Sequence, residues 1–196
     1  MHIEGSIEPQ LMLDLAARNG LKLRWNTAEA LRGAYRFQNL QSFLDLYFEG
    51  CKVLVTERDF HDVTRAYLRR AHEDGVIRAE MFIGPQSFTE RGTPIEALMS
   101  GVLGAMEEAR REHRMSVGVM ISAHRQRTEP DAMAMLDQVI PWKDRIVGIG
   151  MGGAGQPTLQ VRPLFPSRRQ RGFTASRARP SMLARKAPPP TCASLR

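Results

Sequence analysis

An α/β fold built on a parallel sheet is what this sequence predicts, and three observations carry it. Apolar residues at helical spacing alternate with short apolar runs of strand length. The alternation repeats at intervals of roughly 30–40 residues, the length of a strand plus a crossover helix. Each apolar run is rich in β-branched residues or Met and ends in a turn residue or breaker. The pattern holds from Ile7 to about Gly153 and then fails.

In chain order, Leu11 and Leu15, with Met12 and Ala16 beside them, mark a first helix face, and Gly20 supplies its stop. Leu40, Phe43, Leu44, Tyr47 and Phe48 mark a second, ending before Gly50. Thr56 and Asp59 have capping-box spacing, and Phe60, Val63, Tyr67 and Ala71 follow at helical intervals. Thr93-Pro94-Ile95-Glu96 reads as another capping box, opening a stripe of Ile95, Leu98, Val102, Met106 and Ala109. Thr128 with Pro130 opens a further helix, with an expected inner face of Met133, Leu136 and Ile140. The strand candidates are VIRAEMFIGP (Val76–Pro85), MSVGVMIS (Met115–Ser122) and RIVGIGMGG (Arg145–Gly153). Periodicity leaves open whether their sheet is open or closed into a barrel.

Composition narrows the class. Apolar residues make 42% and charged residues 25% of the 196 residues, both in the soluble globular range. No stretch approaches the roughly 18 consecutive apolar residues of a membrane-spanning helix. Two distant cysteines, Cys51 and Cys192, make no disulfide framework and suit a reducing compartment, so the cytoplasm is expected. The net charge of +7 suggests nucleic acid until its distribution is read. Residues 155–196 hold nine Lys or Arg and no acid, leaving 19 basic and 21 acidic groups in the rest. That tail also has seven of the twelve prolines and no sustained periodicity, and is expected to be disordered.

Several residues are candidates for chemistry. His2-Ile3-Glu4-Gly5-Ser6 would place an imidazole and a carboxylate at the C-terminal edge of a sheet, where α/β enzymes keep their sites. A frayed chain end is the bland alternative. Gly148, Gly150, Gly152 and Gly153 crowd one strand end, either for ligand approach or for tight strand packing. They do not form a dinucleotide fingerprint. His124 could reach the same edge; His61, His72 and His113 sit in charged helical surroundings and read as surface residues. Arg110, Arg111 and Arg114 read as a solvated helix end suited to the dipole.

The order of these features resembles the adenosine/adenine deaminase family of zinc-dependent aminohydrolases. HIEGS at His2–Ser6 matches the family opening H-x-H-[LI]-[DE]-G-[ST] except for its first histidine. FLDLYFEG, VLVTERDFHDVTRAYLRRAHEDGVIRAEMFIGPQSFTERG and RIVGIGMGG follow in the family's order and spacing, so that the likeness covers roughly residues 2–154. It implies a (β/α)8 TIM barrel, of which residues 1–154 would supply about the first four βα units. It also implies Zn2+ held by three His and one Asp, lowering the pKa of a bound water that attacks C6 of a purine. A barrel Glu protonates the ring and ammonia leaves. Carried over by position, His2 would be a zinc ligand, Glu4 and Gly5 would meet the substrate, and Gly153 would let the purine approach the fourth strand. His124 lies where SAHRQR departs from the family text and receives no role. The long acid at Glu4, with FQNLQSFLDLY, resembles the adenine-type branch more than the nucleoside-specific one.

The same likeness raises expectations about both ends. Met1 occupies the x of H-x-H, so the first zinc ligand would lie one residue upstream. SMLARKAPPPTC (Ser181–Cys192), back-translated and read after dropping two bases, gives H-A-G-E-E-G-P-P-A-Y, the family string with a zinc-binding His and the acid–base Glu. QPTLQVR gives N-P-P-S-K-F-A in the other shifted frame. A frameshifted or decayed gene is therefore expected after about residue 154. Such a chain would lack three zinc ligands and the catalytic Glu, and would be unstable and inactive by itself. A small-molecule purine is the expected partner, with no membrane and no nucleic acid; oligomeric state is open. The alternative is a non-catalytic half-barrel or binding protein whose basic tail grips phosphates.

Overall fold

The computed structural model describes residues 1–153. The basic tail, Cys192 and the shifted string lie outside the described residues. Three strands, β1 (Arg78–Ile83), β2 (Ser116–His124) and β3 (Ile146–Gly152), pair in parallel in the order β1-β2-β3. Seven helices surround them: α1 (Pro9–Arg18), α2 (Ala28–Ala34), α3 (Leu40–Cys51), α4 (Glu57–Glu73), the single turn α5 (Gln86–Thr89), α6 (Ile95–His113) and α7 (Glu129–Val139). Among the described residues no helix is long and apolar enough to cross a membrane. The α/β class holds, and these are the opening units of a barrel.

One expected strand is reduced to a single bridge. The chain start runs parallel to β1 only at His2, which bridges Phe82, while Phe82 N–H donates to Met1 O at 2.7 Å. Ile3–Gly5 then closes a 3-10 turn. The described residues therefore hold three strands and the foot of a fourth.

Burial separates the two faces of the sheet. Ala79, Met81 and Ile83 of β1 and Val117, Val119, Ile121 and Ala123 of β2 are buried. With them pack Phe60, Val63 and Leu68 of α4 and Leu98, Met99, Val102 and Met106 of α6, forming the core. The alternate residues Phe82, Met120 and His124 are only half-buried, and no residue of β3 is fully buried. The helices thus cover one face, and the other, which is a barrel's interior, is left open.

Most helix boundaries follow local chemistry. Thr56 caps α4 and Thr128 caps α7, each with a reciprocal Asp, as expected. Gly20 ends α1 at φ +64°, a conformation cheap only for glycine. Three expectations are corrected. Thr93 does not cap α6: the helix starts one residue later, from Pro94, and Thr93 N–H instead donates to Phe88 O. Gly50 lies inside α3 rather than after it, because the Met12 methyl sits 2.8 Å from where a Cβ would stand. The inner face of α7 is Ala132, Met135, Leu136 and Val139; Ile140 is 47% exposed. Pro141 follows it, and the chain has passed into a 3-10 segment, Ile140–Arg145.

Charged groups outside the sheet are mostly paired. His61 Nε2 meets Glu108 at 3.1 Å. His72 and His113, expected as separate surface residues, stack with ring centroids 4.3 Å apart where α4 and α6 end together. Arg110 is more than a solvated helix end, since it donates to Val117 O at 2.5 Å and ties α6 to β2. Asp59 is fully buried and accepts from Val55 N–H, Thr56 N–H, Asn19 Nδ2 and Arg18, welding α1 to the start of α4.

Two stability effects follow. Gly101 lets α6 cross α4 closely: a Cβ there would lie 2.3 Å from Glu57 O and 2.8 Å from Phe60 Cβ. Gly101→Ala should therefore lower stability by about 1–3 kcal/mol, read as a drop in the urea midpoint. Burial raises the Asp59 pKa, but the donors from Thr56, Asn19, Val55 and Arg18 outweigh it and hold the carboxyl below its ordinary value. Its contribution is complete above about pH 4 and disappears as pH falls through the depressed native value. Asp59→Ala should cost about 2–4 kcal/mol at pH 7 and flatten the loss of stability between about pH 4 and 2, measured by urea unfolding.

Candidate active site

The C-terminal edge of the sheet gathers polar side chains from distant segments. His2 arrives on the bridge to Phe82 and stacks on that ring, with centroids 5.4 Å apart. The following turn is anchored by Ser6 Oγ donating to Ile3 O at 2.7 Å and by Arg70 donating to Ser6 O at 2.9 Å. Tyr35 OH adds a bond to Ile7 O at 3.2 Å. The HIEGS segment is therefore a held turn, and the frayed-end reading fails.

Glu4 is the hub. Its side chain is fully buried. Oε1 accepts from Tyr47 OH at 2.6 Å and from Gly84 N–H at 2.9 Å, and lies 3.2 Å from His2 Nδ1. A carboxylate only accepts, so Nδ1 carries the shared proton and a neutral His2 keeps its lone pair on Nε2. That nitrogen faces Gly152, where a Cβ would stand 3.3 Å away. Glu4 Oε2 is buried and has no hydrogen-bond partner among the described residues.

His124, at the end of β2, completes the cluster. Its Nε2 lies 3.0 Å from Ser87 Oγ, and its backbone N–H donates to Gln86 Oε1 at 2.7 Å. A Cβ at Gly84 would come within 3.2 Å of both His124 Nε2 and Glu4 Oε1, so glycine is what lets the two side chains share this corner. Burial pushes the His124 pKa down, against the pull of Glu90 and Glu4, favouring neutral imidazole. Burial, with the Glu4 charge next, pushes the Tyr47 phenol far up, so it stays a donor. Burial likewise raises the Cys51 thiol, which rules it out as a ready thiolate.

The glycines of β3 divide. A Cβ at Gly150 would strike Phe82 at 2.7 Å, and one at Gly148 would touch Met120 at 3.4 Å, so those two serve packing. Gly152 adjoins His2 and Ser122. Gly153, beyond the strand at φ +103°, is exposed and lies beside Gln126. The structure thus brings His2, Glu4 and Gly5 together and sets Gly153 at the rim. Tyr47, Gly84, Ser87 and His124 join them without having been assigned roles from sequence. Tyr47 had read only as part of an apolar helix face; the one available signal for His124 was its place at a strand's C-terminal end.

The described residues do not make a zinc site by themselves. No three His, Cys, Asp or Glu side chains among them converge to hold an ion. His2 Nε2 is a plausible donor by orientation, but zinc in proteins takes three or four protein ligands.

Comparison with known proteins agrees with this geometry. The Adenosine deaminase family model matches residues 1–177. The chain is 79% identical over 175 residues to an adenine deaminase of Rhodopseudomonas palustris, covering 88% of this chain and 51% of that protein. The crystal structure of adenine deaminase from Arthrobacter aurescens superposes with a TM-score of 0.76 at 41% identity, over 79% of this chain and 47% of the other. A Burkholderia ambifaria amidohydrolase, solved with bound Zn, shares the fold at a TM-score of 0.70 and 22% identity, over 80% of this chain and 43% of the other. The chain spans about half the length of the curated relatives it matches. With its barrel-type sheet, its HIEGS turn held at the strand edge and a family match over most of its length, the chain belongs to the adenosine deaminase family.

Proposed function

We propose that residues 1–154 are the N-terminal half of a deaminase-type barrel whose complete form hydrolyses adenine to hypoxanthine and ammonia, with adenosine the next candidate. The observation that carries this reading is the convergence of His2, Glu4 and Gly84 at the C-terminal sheet edge, where barrel enzymes place their chemistry. The adenine deaminases among the relatives favour the free base. His2 acts as a metal ligand through Nε2, Glu4 and Gly5 contact the purine, and Gly153 lets it approach the chain after β3. Zinc, when bound in the complete barrel, supplies the activated water. Its remaining ligands and the acid–base Glu must come from outside the described residues, so the 196-residue chain alone is inactive and holds zinc weakly. The purine is its small-molecule partner. The free, buried Cys51 suits a reducing cytoplasm.

Two measurements test this. The purified chain should release no ammonia from adenine, and should do so when co-expressed with the C-terminal half of the Rhodopseudomonas palustris relative. Adenine turnover by the chain alone, with stoichiometric zinc, would refute its incompleteness. A complemented enzyme that prefers adenosine would overturn the choice of substrate.

A further inference from the structure

Glu4 is a buried carboxylate used on one side only. Oε1 takes Tyr47 OH, Gly84 N–H and the His2 Nδ1 proton, while Oε2, equally buried, takes nothing. A buried carboxylate oxygen without a donor is costly, by about 1–3 kcal/mol or more, unless a ligand supplies one. Asp59 shows the contrast, since both of its oxygens are occupied by protein groups. Gly84 N–H is backbone and Tyr47 rides on α3, so the carboxylate is gripped from two elements and cannot turn without breaking both bonds.

We propose that Tyr47 is a positioning residue that pins Glu4 by Oε1 so that Oε2 is presented to a ring N–H of the substrate, which selects a free purine base over its N9-substituted counterpart. The inference rests on the deaminase reading and names the atom that sets its substrate class. The chemistry is one-sided. Adenine carries a ring N–H, whereas an N9-substituted adenine has only acceptors on its rings. Its remaining N–H donors are on the amino group that leaves. A carboxylate oxygen accepts from the first and repels the lone pairs of the second. Glu4 also borders a cavity of only about 20 Å³, lined with Gly5, Tyr35, Phe37, Phe43 and Tyr47, room for about one water and none for a sugar.

The test uses the full 196-residue chain with adenine and 9-methyladenine as probes, following the Gly84 amide by nitrogen-15 NMR. Adenine should shift that amide and 9-methyladenine should bind roughly tenfold more weakly, the scale of one hydrogen bond to a charged acceptor. Tyr47→Phe, which removes one oxygen, should shrink that ratio toward one with the unfolding midpoint recorded alongside. A merely structural role would weaken both probes equally and leave the ratio unchanged, which overturns the proposal. Glu4→Gln adds a signature that survives even if Tyr47→Phe does not fold. With the Tyr47 and Gly84 donors holding the amide oxygen, the NH2 group must face the ligand, and the preference should reverse toward 9-methyladenine. Equal binding of the two probes by the wild type sinks the proposal and leaves the deaminase reading standing; binding of neither removes both.

Discussion

Parallel strands cannot be joined by tight turns, so each must return through a crossover, and here every return runs on the same side of the sheet. From that constraint the rest of the architecture follows. The long helices α4 and α6 pack together on one face, close enough that Gly101 carries no side chain at their crossing. Residues alternating along β1 and β2 are sorted into a buried set facing those helices and a half-buried set facing the other way. All strand ends point in one direction, so His2, Gly84, His124 and Gly152 meet at one edge although they come from four separate segments.

Two buried carboxylates show how burial divides structure from function. Asp59 and Glu4 are both withdrawn from water, and each anchors donors from distant parts of the chain. Asp59 is saturated, with backbone, amide and guanidinium donors shared over both oxygens, and its effect is to join α1 to α4. Glu4 is saturated on one oxygen only. The first arrangement is complete without a ligand; the second is completed by one. The same contrast separates the glycines of β3, where Gly148 and Gly150 make room for neighbouring side chains and Gly152 makes room beside His2.

Much of the helix layer was legible from local pattern. The Thr56–Asp59 and Thr128–Asp131 boxes act through bonds spanning three residues, so the sequence contains both partners. Periodicity located Ile95 to Ala109 as the inner stripe of α6 because a helix face depends on spacing alone. The misreadings lie where a contact from elsewhere intervenes. Gly50 looks like a stop until Met12 is seen packed against it, and Thr93 looks like a cap until its loop is seen folded back on Phe88. The helix α2 went unread, its seven residues too short to show a stripe. His72 and His113 read as unrelated surface residues because only the packing of α4 on α6 brings them together.

For the site, the sequence by itself determined the residue types and one motif: an imidazole, a carboxylate and a glycine within HIEGS, at a spacing that the family shares. It also determined that short apolar runs alternate with helices, which is a matter of local period. What only the tertiary structure decided is which atoms are taken and which remain. That Tyr47 and Gly84 close on the same oxygen of Glu4, and that His124 stands across Gly84 from it, involves separations of 37 to 80 residues. Hydrogen bonds act over about 3 Å in space. Contacts of that reach have no signature along a chain until the strands that carry them are laid side by side.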